Sequence, residues 1–273
     1  MPYSELNSEK KIKQSRIQAW NRCFIKQDLS LTISREDAPY RRLSITVIVA
    51  CGNPFTIRDH NNDDQTLHGA LLGPNVSRTN IDAIDSDLTI LDAFITTQKY
   101  KALQAIVKPY EMRALTGEEL TKAQEICRPS FYQDLEQEDA GELFDSIVNS
   151  LCDPNAPKQT INTRISKVTE IVEQRRAEDL SVSALAKEAN TSESHLRSLF
   201  KKEMHCTLSQ YIRSVSVWKT VPLLAKGMSY TEVAHEAGFH DLAHYSKAVL
   251  EVIGSPPSNI LKTDSIKVSL HSK

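Results

Sequence analysis

Two stretches in the second half of the chain, LSVSALAKEANTSESHLRSLFKKEM (180–204) and MSYTEVAHEAGFHDLAHYSKAVLEVI (228–253), share one pattern. The Leu-Ala-x-x-Ala sequence at 185–189 returns 48 residues later as Val-Ala-x-x-Ala at 233–237. An internal repeat of this spacing indicates that one supersecondary unit is present twice.

Each copy predicts a short helix, a tight turn and a second amphipathic helix. The turns are Asn-Thr-Ser at 190–192 and Gly-Phe-His at 238–240, and the alanine before each turn lets the two helices cross closely. The core positions Leu196 and Phe200 correspond to Tyr245 and Val249. In such a helix-turn-helix unit, the second helix enters the DNA major groove. A helical segment at 208–226 joins the two copies.

Residues 160–262 resemble the DNA-binding domain of the AraC/XylS family of bacterial transcription regulators, through the two stretches above and SQYIRSVS (209–216). The resemblance implies a cytoplasmic, sequence-specific regulator of transcription, expected to be an activator, whose two recognition helices bind successive major grooves of double-stranded DNA. It implies RNA polymerase as a partner, no enzymatic activity, no catalytic residues, no cofactor and no membrane association. Family members pair this domain with an effector-binding or dimerising domain, often a small cupin-like β-barrel.

The first half of the chain is compatible with that plan. Short β-branched runs between 20 and 95 predict strands, and good helix formers at 116–127 and 137–152 predict helices. Residues 153–159 contain two prolines and no apolar run, so we interpret them as a linker. The predicted fold is α+β. It comprises a regulatory or dimerisation domain at 1–157, with a small cupin-like β-barrel and flanking helices, and an all-α domain at 158–273 with two helix-turn-helix units on a linker helix.

Composition and sequence patterns argue against several other classes of protein. The 273 residues contain no apolar run of the roughly 20 residues that a membrane helix needs. Neither of the nucleotide-binding patterns GxGxxG and GxxxxGK[ST] occurs. The five cysteines are widely spaced and odd in number, which is typical of reduced thiols rather than of a disulfide framework. Residues 1–159 hold 18 Lys and Arg against 23 Asp and Glu, whereas residues 160–262 hold 13 against 11. The second domain is therefore only weakly basic, and its charge alone does not predict DNA binding.

The family pattern assigns candidate DNA contacts to both recognition helices. Arg197 is the candidate base reader, since arginine donates two hydrogen bonds to guanine, whereas Lys201 and Lys202 are expected to anchor phosphates. In the second helix, Leu242 and Ala243 would pack on thymine methyl groups, or the helix would mainly hold the backbone. The full candidate set comprises Ser194, Arg197, Ser198, Lys201, Lys202, His240, Leu242, Ala243, Ser246 and Lys247.

The chain departs from the family pattern at several positions. Ser198 and Ser216 replace arginines that relatives often carry, and His205 stands where glycine is expected. Pro222 falls inside the expected linker helix, where proline removes a backbone donor and favours a kink. Capping motifs are expected at Ser181, at Thr207 with Gln210, and at Ser229 with Glu232.

Other interpretations remain open at this point. His240 with His244, and His60 with Asp63, Asp64 and His68, resemble metal-binding groups, although we favour a solvated loop for the second set and predict no metal site. Cys51 is interpreted as a buried small residue, and a thiol sensor is an alternative for any of the cysteines. The N-terminal domain binds a small-molecule effector, a protein partner or a second copy of the chain, and the stripe on 137–152 is expected to self-associate. A DNA-tethered cupin enzyme is a further alternative.

Overall fold

The computed structural model describes residues 15–20, 22–34, 40–58, 63–78, 80–95, 97–153, 161–253, 257 and 266–268. They form two compact units. The first is built mainly from strands and three helices, and the second from helices. The predicted boundary after residue 157 lies outside the described residues. No helix in these ranges is both long and apolar enough to cross a membrane.

The strands of the first unit form two main sheets. The strands are β1 (Arg16–Trp20), β2 (Cys23–Asp28), β3 (Leu31–Ser34), β4 (Tyr40–Arg41), β5 (Ser44–Ala50), β6 (Phe55–Arg58), β7 (Asp64–Leu67), β8 (Gly69–Leu72), β9 (Ser77–Arg78), β10 (Asn80–Ala83), β11 (Leu88–Phe94), β12 (Met112–Ala114) and β13 (Ile266–Val268). The larger sheet has the order β12-β8-β5-β11-β2-β1-β13, the second has the order β3-β10-β6-β7, and β4 pairs with β9.

A shared apolar core joins the two sheets. Side chains of β5, β8 and β11 in the larger sheet meet those of β6 and β10 in the second. The buried members of this cluster include Ile48, Ala50, Phe55, Ile57, Ala70, Leu72, Ile81, Ala83, Leu88 and Ile90. β5 and β11 are buried along their whole length, as expected for central strands covered on both faces. The α+β prediction is confirmed. The described strands hydrogen-bond within separate sheets, however, and do not close into one barrel.

The helices of the first unit are α1 (Gln98–Gln104), α2 (Gly117–Cys127) and α3 (Gln137–Leu151). The predicted stripe on α3 exists, but its side chains are buried within the chain itself. Phe144, for example, packs edge-on against Trp20 with ring centroids 5.5 Å apart. This apolar surface is already covered, which removes the reason for expecting the stripe to self-associate; self-association itself stays a prediction.

The stretch 59–66 was expected to be a loop, and part of it is a strand. Residues 59–62, with the candidate His60, lie outside the described residues. Residues 64–66 belong to β7, which pairs antiparallel with β6 in a register that places Asp64 opposite Arg58. Their side chains form an ion pair, with Arg58 Nε 2.9 Å from Asp64 Oδ1. Cross-strand pairing of opposite charges stabilises the hairpin at this point.

The second unit contains α4 (Thr163–Gln174), α5 (Val182–Glu188), α6 (Glu193–Met204), α7 (Leu208–Ala225), α8 (Tyr230–Glu236) and α9 (Leu242–Ile253). The two repeated stretches form α5–α6 and α8–α9, and α7 joins them as predicted. All three capping predictions are confirmed. The Ser181 side chain accepts from the Ala184 amide, and complete capping boxes begin α7 and α8.

The turns of the two copies are equivalent in backbone detail. Asn190 and Gly238, 48 residues apart, both have positive φ angles, of 50° and 78°. Each turn is closed by the same bond, from Thr191 N to Ala186 O at 3.0 Å and from Phe239 N to Ala234 O at 2.9 Å. The second copy uses glycine because a Cβ there would lie 3.1 Å from the Glu178 amide nitrogen.

Helix α7 is the buried axis of the second unit. Its residues Tyr211, Val217 and Thr220 are almost inaccessible to solvent. Tyr211 packs against Phe200 of α6 with ring centroids 5.3 Å apart. Lys219 donates to the carbonyl oxygens of Val172 and Arg175, at 2.9 and 2.7 Å, at the end of α4. Lysine at a helix C-terminus satisfies carbonyls that have no partner within the helix.

Pro222 lies inside α7, which continues through it to Ala225. The proline has no amide hydrogen, so it cannot donate to the Trp218 carbonyl one turn earlier. Its side chain is exposed, and removing the ring creates no buried cavity.

We expect Pro222→Ala to stabilise the second unit by about 1–3 kcal/mol, because alanine restores the donor and suits a helix interior. Chemical denaturation followed by circular dichroism measures this effect. Leu223→Ala, at the neighbouring half-buried position, is the control for an unspecific response to alanine. A clear loss of stability in Pro222→Ala would show that the fold requires the proline.

Candidate nucleic-acid interface

The first candidate surface is the solvent side of α6. Ser192 begins this helix by accepting a hydrogen bond from the His195 amide at 3.3 Å. Leu196, Phe200 and Met204 face the core. The structure places the five predicted residues of this helix on its exposed side: Ser194, Arg197, Ser198, Lys201 and Lys202. Arg197 lies 4.0 Å from Glu193, one turn earlier, in an exposed ion pair. Such exposed pairs contribute little to stability, so this pair does not hold the guanidinium away from DNA.

The second candidate surface is the N-terminal half of α9. Tyr245, Ala248, Val249 and Val252 are buried. Leu242, Ala243 and Lys247 are exposed, and Ser246 is half-buried beside them. Leu242 leaves 42% of its surface accessible although it is a large apolar side chain. His240 is exposed in the turn before the helix.

Asp241 organises the start of α9, and sequence reasoning missed it. Its Oδ1 accepts from the His244 amide at 2.7 Å, and its Oδ2 lies 3.0 Å from Nδ1 of His240. These two contacts, the backbone amide first, hold the pKa of Asp241 below its usual range. The signal in the sequence was an aspartate just after a Gly-containing turn and just before a helical pattern, which is typical of an N-cap.

Two contacts connect α9 to the central helix α7. Thr220 Oγ1 and the Tyr245 hydroxyl are hydrogen-bonded at 3.0 Å inside the core. Arg213 of α7 forms an ion pair with Glu251 of α9. The Arg213 ion pair gives Glu251 a structural role near the end of α9. Neither partner was among the predicted site residues, because the pairing joins positions 38 residues apart.

The metal alternatives receive no support from the geometry. The backbone amide of His244 donates to Asp241, and its ring packs edge-on against Phe239 at 5.4 Å. Asp64 pairs with Arg58, while Asp63 and His68 are exposed. Within the described ranges, no group of three His, Cys, Asp or Glu side chains is arranged to hold a metal ion.

Comparison with known proteins agrees with this geometry. Residues 185–263 match the family described as "Helix-turn-helix domain", a range that includes both turns and both candidate helices. The chain carries an AraC-type helix-turn-helix domain. The chain is 32% identical over 120 residues to the HTH-type transcriptional regulator GbdR of Pseudomonas aeruginosa. It is 29% identical over 99 residues to the Msm operon regulatory protein of Streptococcus mutans.

These sequence matches cover less than half of this chain. They cover 42% of this chain and 33% of the length of GbdR, and 36% of this chain and 36% of the Msm protein. The chain thus spans about a third of the length of the relatives it matches.

The overall architecture resembles that of ToxT from Vibrio cholerae. An apo form of ToxT gives a TM-score of 0.53 at 13% identity, covering 89% of this chain and 97% of ToxT. A second ToxT structure, with a bound unsaturated fatty acid, gives 0.51 at 12% identity over 91% and 96%. At such low identity, the likeness establishes a shared fold.

We expect Asp241→Ala to lower both the melting temperature of the protein and its affinity for DNA, because α9 loses its N-cap. Asp241→Asn is the control, since the amide oxygen still accepts from His244. The folded-state pKa of Asp241 is depressed, so its stabilising effect is present above the unfolded pKa and disappears as the pH falls through the folded value. Melting curves of the wild type and Asp241→Ala should therefore converge below about pH 4. A constant difference at all pH values would contradict this role.

Proposed function

We propose that this protein is a sequence-specific DNA-binding regulator of transcription, which inserts α6 and α9 into successive major grooves. One observation carries the proposal. Two helix-turn-helix units are fixed to the same buried helix, α7, and each exposes its second helix. A major groove admits one α-helix, and an array of two requires grooves that lie about one helical turn apart on one face of the DNA.

On α6, the proposed division of labour follows the side-chain chemistry. Arg197 projects from the middle of the exposed face and can donate two hydrogen bonds to O6 and N7 of one guanine. Ser194 lies one turn before it and Ser198 directly follows it, and both are suited to single hydrogen bonds. Lys201 and Lys202 lie in the last turn and are suited to the phosphate backbone.

On α9, we propose a largely apolar contact. Leu242 and Ala243 are exposed in the first turn of the helix and can pack on the 5-methyl group of thymine. Ser246 and Lys247 follow one turn later and are suited to the backbone, as is His240 before the helix. We assign more base discrimination by hydrogen bonding to α6 than to α9.

We propose that the first unit regulates DNA binding rather than catalysing a reaction. The support is the ToxT-like fold over most of the chain, together with the fatty acid held by one ToxT structure. A small apolar carboxylic acid is accordingly the first effector class to test, with a protein partner or a second copy of the chain as the alternatives. Contact with RNA polymerase, and action in the cytoplasm on bacterial promoters, belong to the same proposal.

Hydroxyl-radical footprinting of the full chain tests the central claim. We expect two protected segments about 10 bp apart on one face of the duplex for each bound chain. Alanine substitution of Leu242 and Lys247 together should remove one segment, and substitution of Arg197 and Lys201 together should remove the other. Protection of one groove only by the wild type would overturn the arrangement.

Substitution of Arg197 and substitution of the lysines of α6 are expected to affect DNA binding in different ways. Arg197→Ala should cost about 1–3 kcal/mol and relax the preference at one base position. Lys201→Ala or Lys202→Ala should weaken binding to all sequences similarly and reduce the salt slope by about one. Selection from a randomised site library at two salt concentrations separates the two results.

Arg175→Ala is the matched control for this experiment. Arg175 is an exposed arginine at the end of α4, paired with Glu188 at 3.3 Å, outside both recognition helices. It should leave both site preference and salt slope unchanged. If Arg197→Ala weakens every sequence equally, Arg197 contacts only phosphate.

A further inference from the structure

A pair of cysteines in the first unit lies apart from the DNA-binding machinery. Cys51 directly follows β5, and Cys127 is the last residue of α2. Cys51 Sγ lies 3.6 Å from the backbone carbonyl oxygen of Gln124, one turn before Cys127 in α2, although 76 positions of chain separate the two cysteines. This proximity was not predictable from the sequence, since the cysteines are widely spaced.

The surroundings tie Cys51 to the last turn of α2, which ends in Cys127. Gln124, one turn before Cys127, donates through Nε2 to the Ala50 carbonyl at 2.7 Å. Its own backbone carbonyl lies 3.6 Å from Sγ of Cys51. The end of β5 is thus tied to the last turn of α2 from both sides of the pair.

The two thiols are chemically unequal. Cys51 is only half-buried, whereas Cys127 is inaccessible to solvent. The hydrogen bond from Cys127 and the nearby charge of Arg128 lower the pKa of Cys51, against opposing effects of burial and of Asp87. Burial raises the pKa of Cys127 well above its ordinary value. A thiolate attacks oxidants and a thiol does not, so an oxidant from solvent meets Cys51 first.

The remaining cysteines provide an internal comparison. Burial raises the pKa of both Cys23 and Cys206 to about 12. Cys152 is half-buried like Cys51, but burial raises its pKa, against the opposing effect of the Lys99 charge. Cys152 therefore matches Cys51 in exposure and differs in the features that favour reaction.

We propose that Cys51 and Cys127 form a hydroperoxide-reactive site that closes into an intramolecular disulfide. The Cys51 thiolate attacks one oxygen of the peroxide, the O–O bond breaks, and Cys51 becomes a sulfenic acid while the peroxide is reduced to water or an alcohol. The Cys127 thiol then attacks the Cys51 sulfur, the S–O bond breaks, and water leaves with the proton from Cys127. Two electrons pass from the two thiols to one peroxide.

The test uses the full chain, reduced and then treated with hydrogen peroxide at one equivalent. Free thiols are blocked with N-ethylmaleimide, and the protein is digested with trypsin and Glu-C without reduction for mass spectrometry. Both proteases are needed, because the Arg128-Pro129 bond resists trypsin and would leave Cys127 and Cys152 on one peptide. We expect the 51–127 linked peptide as the main product, with the other three cysteines alkylated.

The rates of cysteine oxidation and two cysteine variants test the order of the two steps. Cys51 should be consumed at least about tenfold faster than Cys152 in the wild type, because a larger fraction of it is thiolate. In Cys127→Ser, dimedone should trap a sulfenic acid at Cys51. In Cys51→Ser, Cys127 should remain alkylatable after peroxide and denaturation. Equal rates at Cys51 and Cys152, or oxidation of wild-type Cys51 to sulfinic acid without the linked peptide, would overturn the proposal.

Discussion

The burial of α7 is the constraint on which the second unit depends. A helix that is covered by both helix-turn-helix copies cannot shift without disturbing the packing of each. Tyr211 contacts the first copy through Phe200, and Thr220 contacts the second through the Tyr245 hydroxyl. Protein interiors are closely packed, so displacement of α7 would open voids on both sides. The spacing of the two recognition helices is therefore a property of the core, set before any DNA is bound.

Sequence predicted most of this unit because its determinants are local. The capping serines and threonine act on amides within three residues, and the repeat places alanines where α5 and α8 must pack closely. Arg213–Glu251 and Thr220–Tyr245 were not predictable, since each joins residues more than 20 positions apart that only the tertiary fold brings together. The candidate surface followed from periodicity. The contacts that orient it did not.

In the first unit, most of the structure depends on long-range contacts and was less predictable from the sequence. Its β-branched runs predicted strands, but a run such as β11 contains no information about its neighbours, which are β2 and β5. These pairings require contacts across long stretches of chain, and the sequence pattern fixes only which face of a strand is apolar. The apolar stripe of α3 shows the same limit. Periodicity identified the stripe correctly, but not whether this chain or another copy covers it.

The number of available basic residues limits how much of the proposed DNA affinity can come from phosphate contacts. Several basic residues of the second unit are already engaged within it: Lys167 and Arg175 with Glu188, Arg213 with Glu251, and Lys219 with carbonyls of α4. Lys201, Lys202 and Lys247 have no ion-pair partner in the part of the chain that the structure describes, and they lie on the proposed surface. Because each neutralised phosphate adds about 0.9 to the salt slope, such a small set implies a shallow dependence on salt. On the proposed function, a larger share of the binding free energy would then come from base and methyl contacts, and the contrast between the polar α6 and the apolar α9 would decide the preferred site.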